Sequence, residues 1–151
     1  MLFRSARTNV CPVALNSSEP VLYAFSFVRP NPEVRRNTFV VAGAGELVGG
    51  TLVSEGILRR GETSPDALRE KAAYVSKEMT ERLHGLGADW REVTTVTAYT
   101  IHPLQTLLDS VLLDSMPVLR ERGIHWQYAR PPVIDIEFEM DLRGVATEWW
   151  F

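Results

Sequence analysis

The 151 residues predict an α+β fold, with five or six strands and two helices in the order β-β-α-β-α-β-β and both helices packed on one face of a mixed sheet. Three observations carry that expectation. A run of period-two alternation lies near the end of the chain, a long apolar stripe of helical period occupies the middle, and a β-branched run follows that stripe. The length suits one domain over residues 1–151, with residues 1–20 as a lead-in, and is enough to bury a core.

The lead-in carries Pro12, Pro20 and a polar run from Asn16 to Glu19, which leaves room for no more than a short edge strand. Residues 21–28, Val-Leu-Tyr-Ala-Phe-Ser-Phe-Val, are strand formers and predict the first core strand. Arg29-Pro-Asn-Pro then forces a turn. Residues 37–43, Asn-Thr-Phe-Val-Val-Ala-Gly, supply a second strand, close enough to pair with the first as a hairpin. Gly43, Gly45, Gly49 and Gly50 form an irregular loop; no helix opens directly after them, so they are not a dinucleotide fingerprint. A short strand fits residues 51–53.

Ser64-Pro65-Asp66 starts a helix: a hydroxyl for the N-cap, proline at the first helical position and an acid in the first turn. Leu68, Ala72, Val75, Met79, Leu83 and Leu86 repeat every three or four residues, and Gly85 and Gly87 end the helix. Residues 93–101, β-branched almost throughout, predict a central strand covered on both faces. Leu104, Leu107, Leu108, Val111 and Leu112 mark a second helix, which Pro117 either kinks or follows with a separate turn. Residues 124–128 predict a fifth strand. Over residues 133–142 the alternation places Ile134, Ile136, Phe138, Met140 and Leu142 on one face, with Asp135, Glu137, Glu139 and Asp141 on the other. Acids in such a row stand roughly 6.5 to 7 Å apart and repel unless water, cations or protonation relieve them. The helices leave the carboxylate-bearing face uncovered, so solvent or another subunit is expected there.

A formal charge of −3 argues against nucleic acid as a partner, and the pairs Arg35-Arg36 and Arg59-Arg60 read as solvated edges. Cys11, the only cysteine, excludes an internal disulfide, and the three histidines have no metal-ligand spacing. The N-terminus lacks the apolar core of a signal peptide and no stretch reaches membrane-spanning length, so a soluble cytoplasmic protein is expected.

Several stretches, taken in order, resemble the Rid family of reactive intermediate deaminases, also called YjgF-like proteins. They are residues 37–43, the helix from Ser64 ending in Leu86-Gly-Ala-Asp-Trp90, residues 93–100, and Ala129-Arg-Pro-Pro with the following Ile-Glu-Phe-Glu. The resemblance implies the chorismate-mutase-like fold of that family, a homotrimer with clefts between subunits, and cofactor-free hydrolysis of enamines or imines to carbonyl compounds and ammonia. It also implies a substrate bearing a carboxylate, of aminomuconate type. A non-catalytic trimer binding a small carboxylate or amide ligand is the alternative. The chain is a divergent member: Gly123 stands where the family carries a carboxylate-gripping arginine, with Arg122 beside it, and Ala42 replaces a serine.

The candidate residues follow from both readings. Glu137, matched to the family's water-activating glutamate in preference to Asp135, is the candidate base, with a salt-bridge role as its alternative. His102, at a strand end before Pro103, suits proton transfer, with a capping or solvent role as its alternative. Arg130, held by Pro131 and Pro132, suits bidentate carboxylate binding, or a structural ion pair. Tyr23 matches the family's early tyrosine, and Arg122 and Tyr128 complete the substrate-binding candidates. Trp126, Trp149 and Trp150 are read as packing or interface residues.

Overall fold

The computed structural model describes residues 6–14, 19–50 and 54–150. Strands β1 (Cys11–Pro12), β2 (Phe39–Gly45), β3 (Thr95–Tyr99), β4 (His125–Gln127), β5 (Ala129–Arg130) and β6 (Glu139–Gly144) form two sheets. The larger is mixed, in the order β2-β6-β3-β4, with β6 antiparallel to both neighbours and β4 parallel to β3. In the smaller, β1 lies antiparallel to β5, with Cys11 opposite Arg130. The α+β class and the edge strand in the lead-in agree with the sequence. The expected strand at residues 51–53 lies outside the described residues.

Helix α1 (Pro65–Gly85) begins where its cap predicts: Ser64 is extended and its Oγ accepts the Ala67 N–H at 3.2 Å. Leu68, Ala72, Val75, Met79 and Leu83 are buried against the sheet. Leu86 is exposed instead, because it falls past the last helical turn, where the chain swings through Gly87 at φ 71°. Helix α2 enters as Gln105–Leu107, widens into π-helical turns over Leu108–Leu112 and closes as Leu113–Ser115. Its Leu107 and Leu112 join the same core, as do Val96, Ala98, Phe138, Met140 and Leu142 from the sheet. Pro117 introduces a separate short helix, α3 (Leu119–Arg122).

Two expected strands are corrected. Residues 21–28 form no strand and no hairpin with β2; their apolar side chains face outward, Leu22 at 80% and Val28 at 96% exposure. Strand formers need a ladder partner, and β2 takes β6 as its partner. The last strand starts at Glu139 rather than at residue 133. Asp135 sits at φ 73°, a left-handed conformation that breaks the pleat and turns Ile134 out to 84% exposure. Ile136, Phe138, Met140 and Leu142 keep the expected core face.

Just before β6, the N–H groups of Glu137 and Phe138 donate to a side chain, the carboxylate of Glu46, at 2.6 and 3.1 Å. Lys71 of α1 reaches the same carboxylate at 3.2 Å, and both charged residues are fully buried. The pair ties α1 to both the loop after β2 and the approach to β6. Removing one member of a buried pair strands the other charge, so Lys71→Met should lower the unfolding free energy by about 3 to 5 kcal/mol. Urea denaturation followed by circular dichroism measures it; a loss below about 1 kcal/mol would put the pair in the class of exposed ones.

Candidate active site

Glu137 is fixed at three points. Its N–H is held by Glu46, its carbonyl accepts the Thr100 hydroxyl at 2.8 Å, and its carboxylate Oε2 lies 2.8 Å from His102 Nε2. Thr100, fully buried just beyond β3, also accepts the His102 N–H at 3.1 Å, and its own carbonyl accepts the Trp126 indole N–H at 3.0 Å. One hydroxyl thus sets the spacing between the histidine and the glutamate. Arg130 approaches the same Oε2 at 3.6 Å from β5, with about half of its side chain open to solvent. The Pro131-Pro132 pair that follows limits backbone freedom beside it.

Glu137 and Arg130 border a cavity of about 300 Å³, lined also by Cys11, Pro132, Ile134 and Ile136 among others. A larger hollow, about 440 Å³, lies between Asp89-Trp90-Arg91 and Pro117-Val118-Glu121. There Asp89 and Arg91 pair with each other at 2.8 Å, and none of Glu137, His102 and Arg130 lines that hollow. A carboxylate joined to an imidazole, with a half-exposed guanidinium alongside, can take a proton from water, pass it on and hold an anionic group.

The structure therefore brings together Glu137, His102 and Arg130, and leaves Arg122, Tyr23 and Tyr128 outside the cavity lining, which Asp135 shares. Arg122 ends α3 and is exposed, outside the cavity lining; Gly123 after it sits at φ 73°, a conformation that suits glycine and disfavours an arginine there. Tyr128 is exposed and rests edge-on against Trp126, and Tyr23 lies in the exposed residues 21–28. Asp135, the other register for the base, is taken by Arg60 at 2.7 Å. Glu46, Lys71 and Thr100 were not singled out from the sequence. The signal for Lys71 was present: it falls three residues after Leu68 and four before Val75, inside the apolar stripe.

Beyond Asp135, the carboxylate row is largely shielded from solvent. Asp141 accepts from the Tyr99 and Thr8 hydroxyls, each at 2.8 Å, while Glu148 accepts from Thr95 and pairs with Arg143. Segments from both ends of the chain thus cover part of the sheet face expected to be open. Burial raises the Tyr99 phenol, and the neighbouring Asp141 charge adds to the effect. Glu139 is buried beside Gly43, where a Cβ would collide with its carboxylate. Burial first, then the charges of Asp141 and Glu46, push Glu139 up to about 7.

A family model for the 2-aminomuconate deaminase CnbZ matches residues 4–149. The chain belongs to the CnbZ family. It is also 38% identical over 150 residues to a 2-amino-5-chloromuconate deaminase from Comamonas testosteroni, an alignment covering 95% of this chain and 57% of that relative's length. Among solved structures, a candidate endoribonuclease from Thermotoga maritima aligns over 97% of this chain and 100% of its own, with a TM-score of 0.51 and 17% identity. One from Klebsiella pneumoniae gives a TM-score of 0.44 and 15% identity over 73% of this chain and 95% of its own. The Thermotoga likeness supports the YjgF-like fold of this CnbZ-family chain.

Glu139 also makes a titration prediction. Its folded value lies above the ordinary 4.5, so its share of stability is complete below about pH 4.5 and is lost as pH rises through about 7. Glu139→Gln should remove that slope and raise stability at pH 8 by about 3 kcal/mol. Thermal melts between pH 4 and 8 test it, and parallel curves for the two proteins would contradict it.

Proposed function

We propose that this chain is a hydrolytic deaminase of the 2-aminomuconate type, converting a carboxylate-bearing enamine or imine to the carbonyl compound and ammonia without a cofactor. The observation that carries it is the Glu137 carboxylate, held between His102 at 2.8 Å and Arg130 at 3.6 Å on the wall of a cavity, in a chain of the CnbZ family. Arg130 holds a substrate carboxylate. An enamine first tautomerises, gaining a proton at carbon and losing one from nitrogen, to become the imine. Glu137 then takes a proton from water as the oxygen adds to the C=N carbon, and His102 shares that proton through its Nε2. Transfer of protons to nitrogen and cleavage of the C–N bond release ammonia and leave C=O, so one water is consumed for each ammonia formed.

The protein acts as a homotrimer in the cytoplasm, with neither nucleic acid nor membrane as a partner. Support for assembly comes from the outward-facing Tyr23, Phe25, Phe27, Ile134, Trp149 and Trp150, of which Phe25, Phe27 and Trp149 lie ring against ring. Among the described residues no helix is long and apolar enough to cross a membrane. In the trimer Tyr23 and Tyr128 face a subunit boundary, where they contribute to the substrate cleft; Arg122, fixed at the end of α3, is left without a role in this reading.

Ammonia release from freshly generated 2-aminomuconate tests the activity. Glu137→Gln should lower turnover on the order of 10² to 10⁴-fold with the assembly intact. Wild-type turnover in that variant would remove Glu137 as the base. Arg130→Ala should act chiefly through substrate capture, costing about 1.5 to 3 kcal/mol in kcat/KM, and Arg130→Lys should not restore it fully. Light scattering should give about three times the 17.0 kDa of the chain; a monomer that turns over normally would refute the trimeric cleft.

A further inference from the structure

An ion pair as deeply buried as Glu46 and Lys71 is a poor device for stability alone, because apolar side chains of similar volume commonly do as well. What an apolar pair cannot do is aim two backbone donors. The Glu46 carboxylate spends one oxygen on the Glu137 N–H, at 2.6 Å, and the other on the Phe138 N–H, at 3.1 Å. Lys71 Nζ fixes the first oxygen at 3.2 Å, and the Glu46 carbonyl is itself fixed by the Leu58 N–H at 2.9 Å. With Thr100 on the Glu137 carbonyl, both backbone polar groups of Glu137 are held by side chains rather than by a neighbouring strand. The direction in which its Cα–Cβ bond leaves the chain is therefore set from within the core.

We propose that Glu46, anchored by Lys71, is a positioning residue for Glu137: its carboxylate orients the Glu137 and Phe138 peptides so that the Glu137 side chain meets His102 and Arg130 at the cavity wall. The inference rests on Glu137 acting as the base. It adds a requirement that neither the cavity lining nor the Glu137 side chain contains, since neither Glu46 nor Lys71 lines the cavity.

The test replaces the pair together, Glu46→Gln with Lys71→Met, so that no buried charge is left alone. Ammonia release from 2-aminomuconate should show kcat reduced ten- to a hundredfold, on the order expected for a reacting group misplaced by a fraction of an ångström to an ångström. KM should stay within about threefold, because the groups that bind substrate are untouched. Introduced into Glu137→Gln, the same two changes should cost less than about twofold more, since a positioning effect vanishes with the group it positions. An equal loss in both backgrounds, or a folded double variant with kcat within about twofold of wild type while Glu137→Gln is inactive, would overturn the proposal and leave the deaminase reading standing. Wild-type turnover in Glu137→Gln would instead sink the base itself. If the double variant fails to fold, amide exchange in the wild-type protein decides: Glu137 and Phe138 should be protected like strand amides, and exchange at the rate of an exposed loop would overturn the proposal.

Discussion

The architecture depends on one carboxylate taken wholly out of water. Glu46 is desolvated, which raises its affinity for a proton, and the two amide donors and Lys71 counter that cost. Its three partners belong to separate parts of the chain, a helix and two successive residues leading into the central strand. No local propensity would bring those parts together. Elsewhere the core is ordinary apolar packing of α1 and α2 on the sheet, and a variety of side chains could serve there. At Glu46 the geometry is specified by hydrogen bonds, whose directions tolerate less change.

Much of the fold was legible because its signals were local. The Ser64 cap, the stripe from Leu68 to Leu83 and the β-branched run around Thr95–Tyr99 each needed only their own neighbours to be interpreted. The failures share a cause. Residues 21–28 have the composition of a strand, but composition does not supply a ladder partner, and in this chain they remain exposed. Residues 133–138 alternate as a strand does, yet the left-handed Asp135 and the side-chain acceptor Glu46 replace the inter-strand ladder just before β6. Both depend on a distant part of the chain, and period counting is blind to distance.

The candidate site divides along the same line. Glu137, His102 and Arg130 were readable as residue types suited to acid–base work and anion binding, and they meet in space. Arg122 was tied to a turn register that Gly123 fixes otherwise, and Tyr23 and Tyr128 stand apart from the cavity within one chain. Thr100 was overlooked because a buried threonine in a threonine-rich strand looks like packing; its hydroxyl is nonetheless what joins the histidine segment to the glutamate segment. The carboxylate row resolved into different environments: Asp135 on Arg60, Glu137 on His102 and Arg130, Glu139 buried, and Asp141 beneath two hydroxyls.

The strand order carries a consequence for how the chain is made. β2 and β3 are separated in space by β6, which comes last among the six strands. Until residues 139–144 have left the ribosome, β2 and β3 lack the neighbour that joins them, and α1 can rest on only part of its sheet. The nascent chain must therefore keep the apolar faces of β2 and β3 apart from other proteins while the strand that closes the gap is still being synthesised. Pairings of such long sequence separation are slow to form, and their unpaired edges are prone to aggregation. The order of the strands thus makes closure of the sheet wait for β6, independently of how stable the finished fold is.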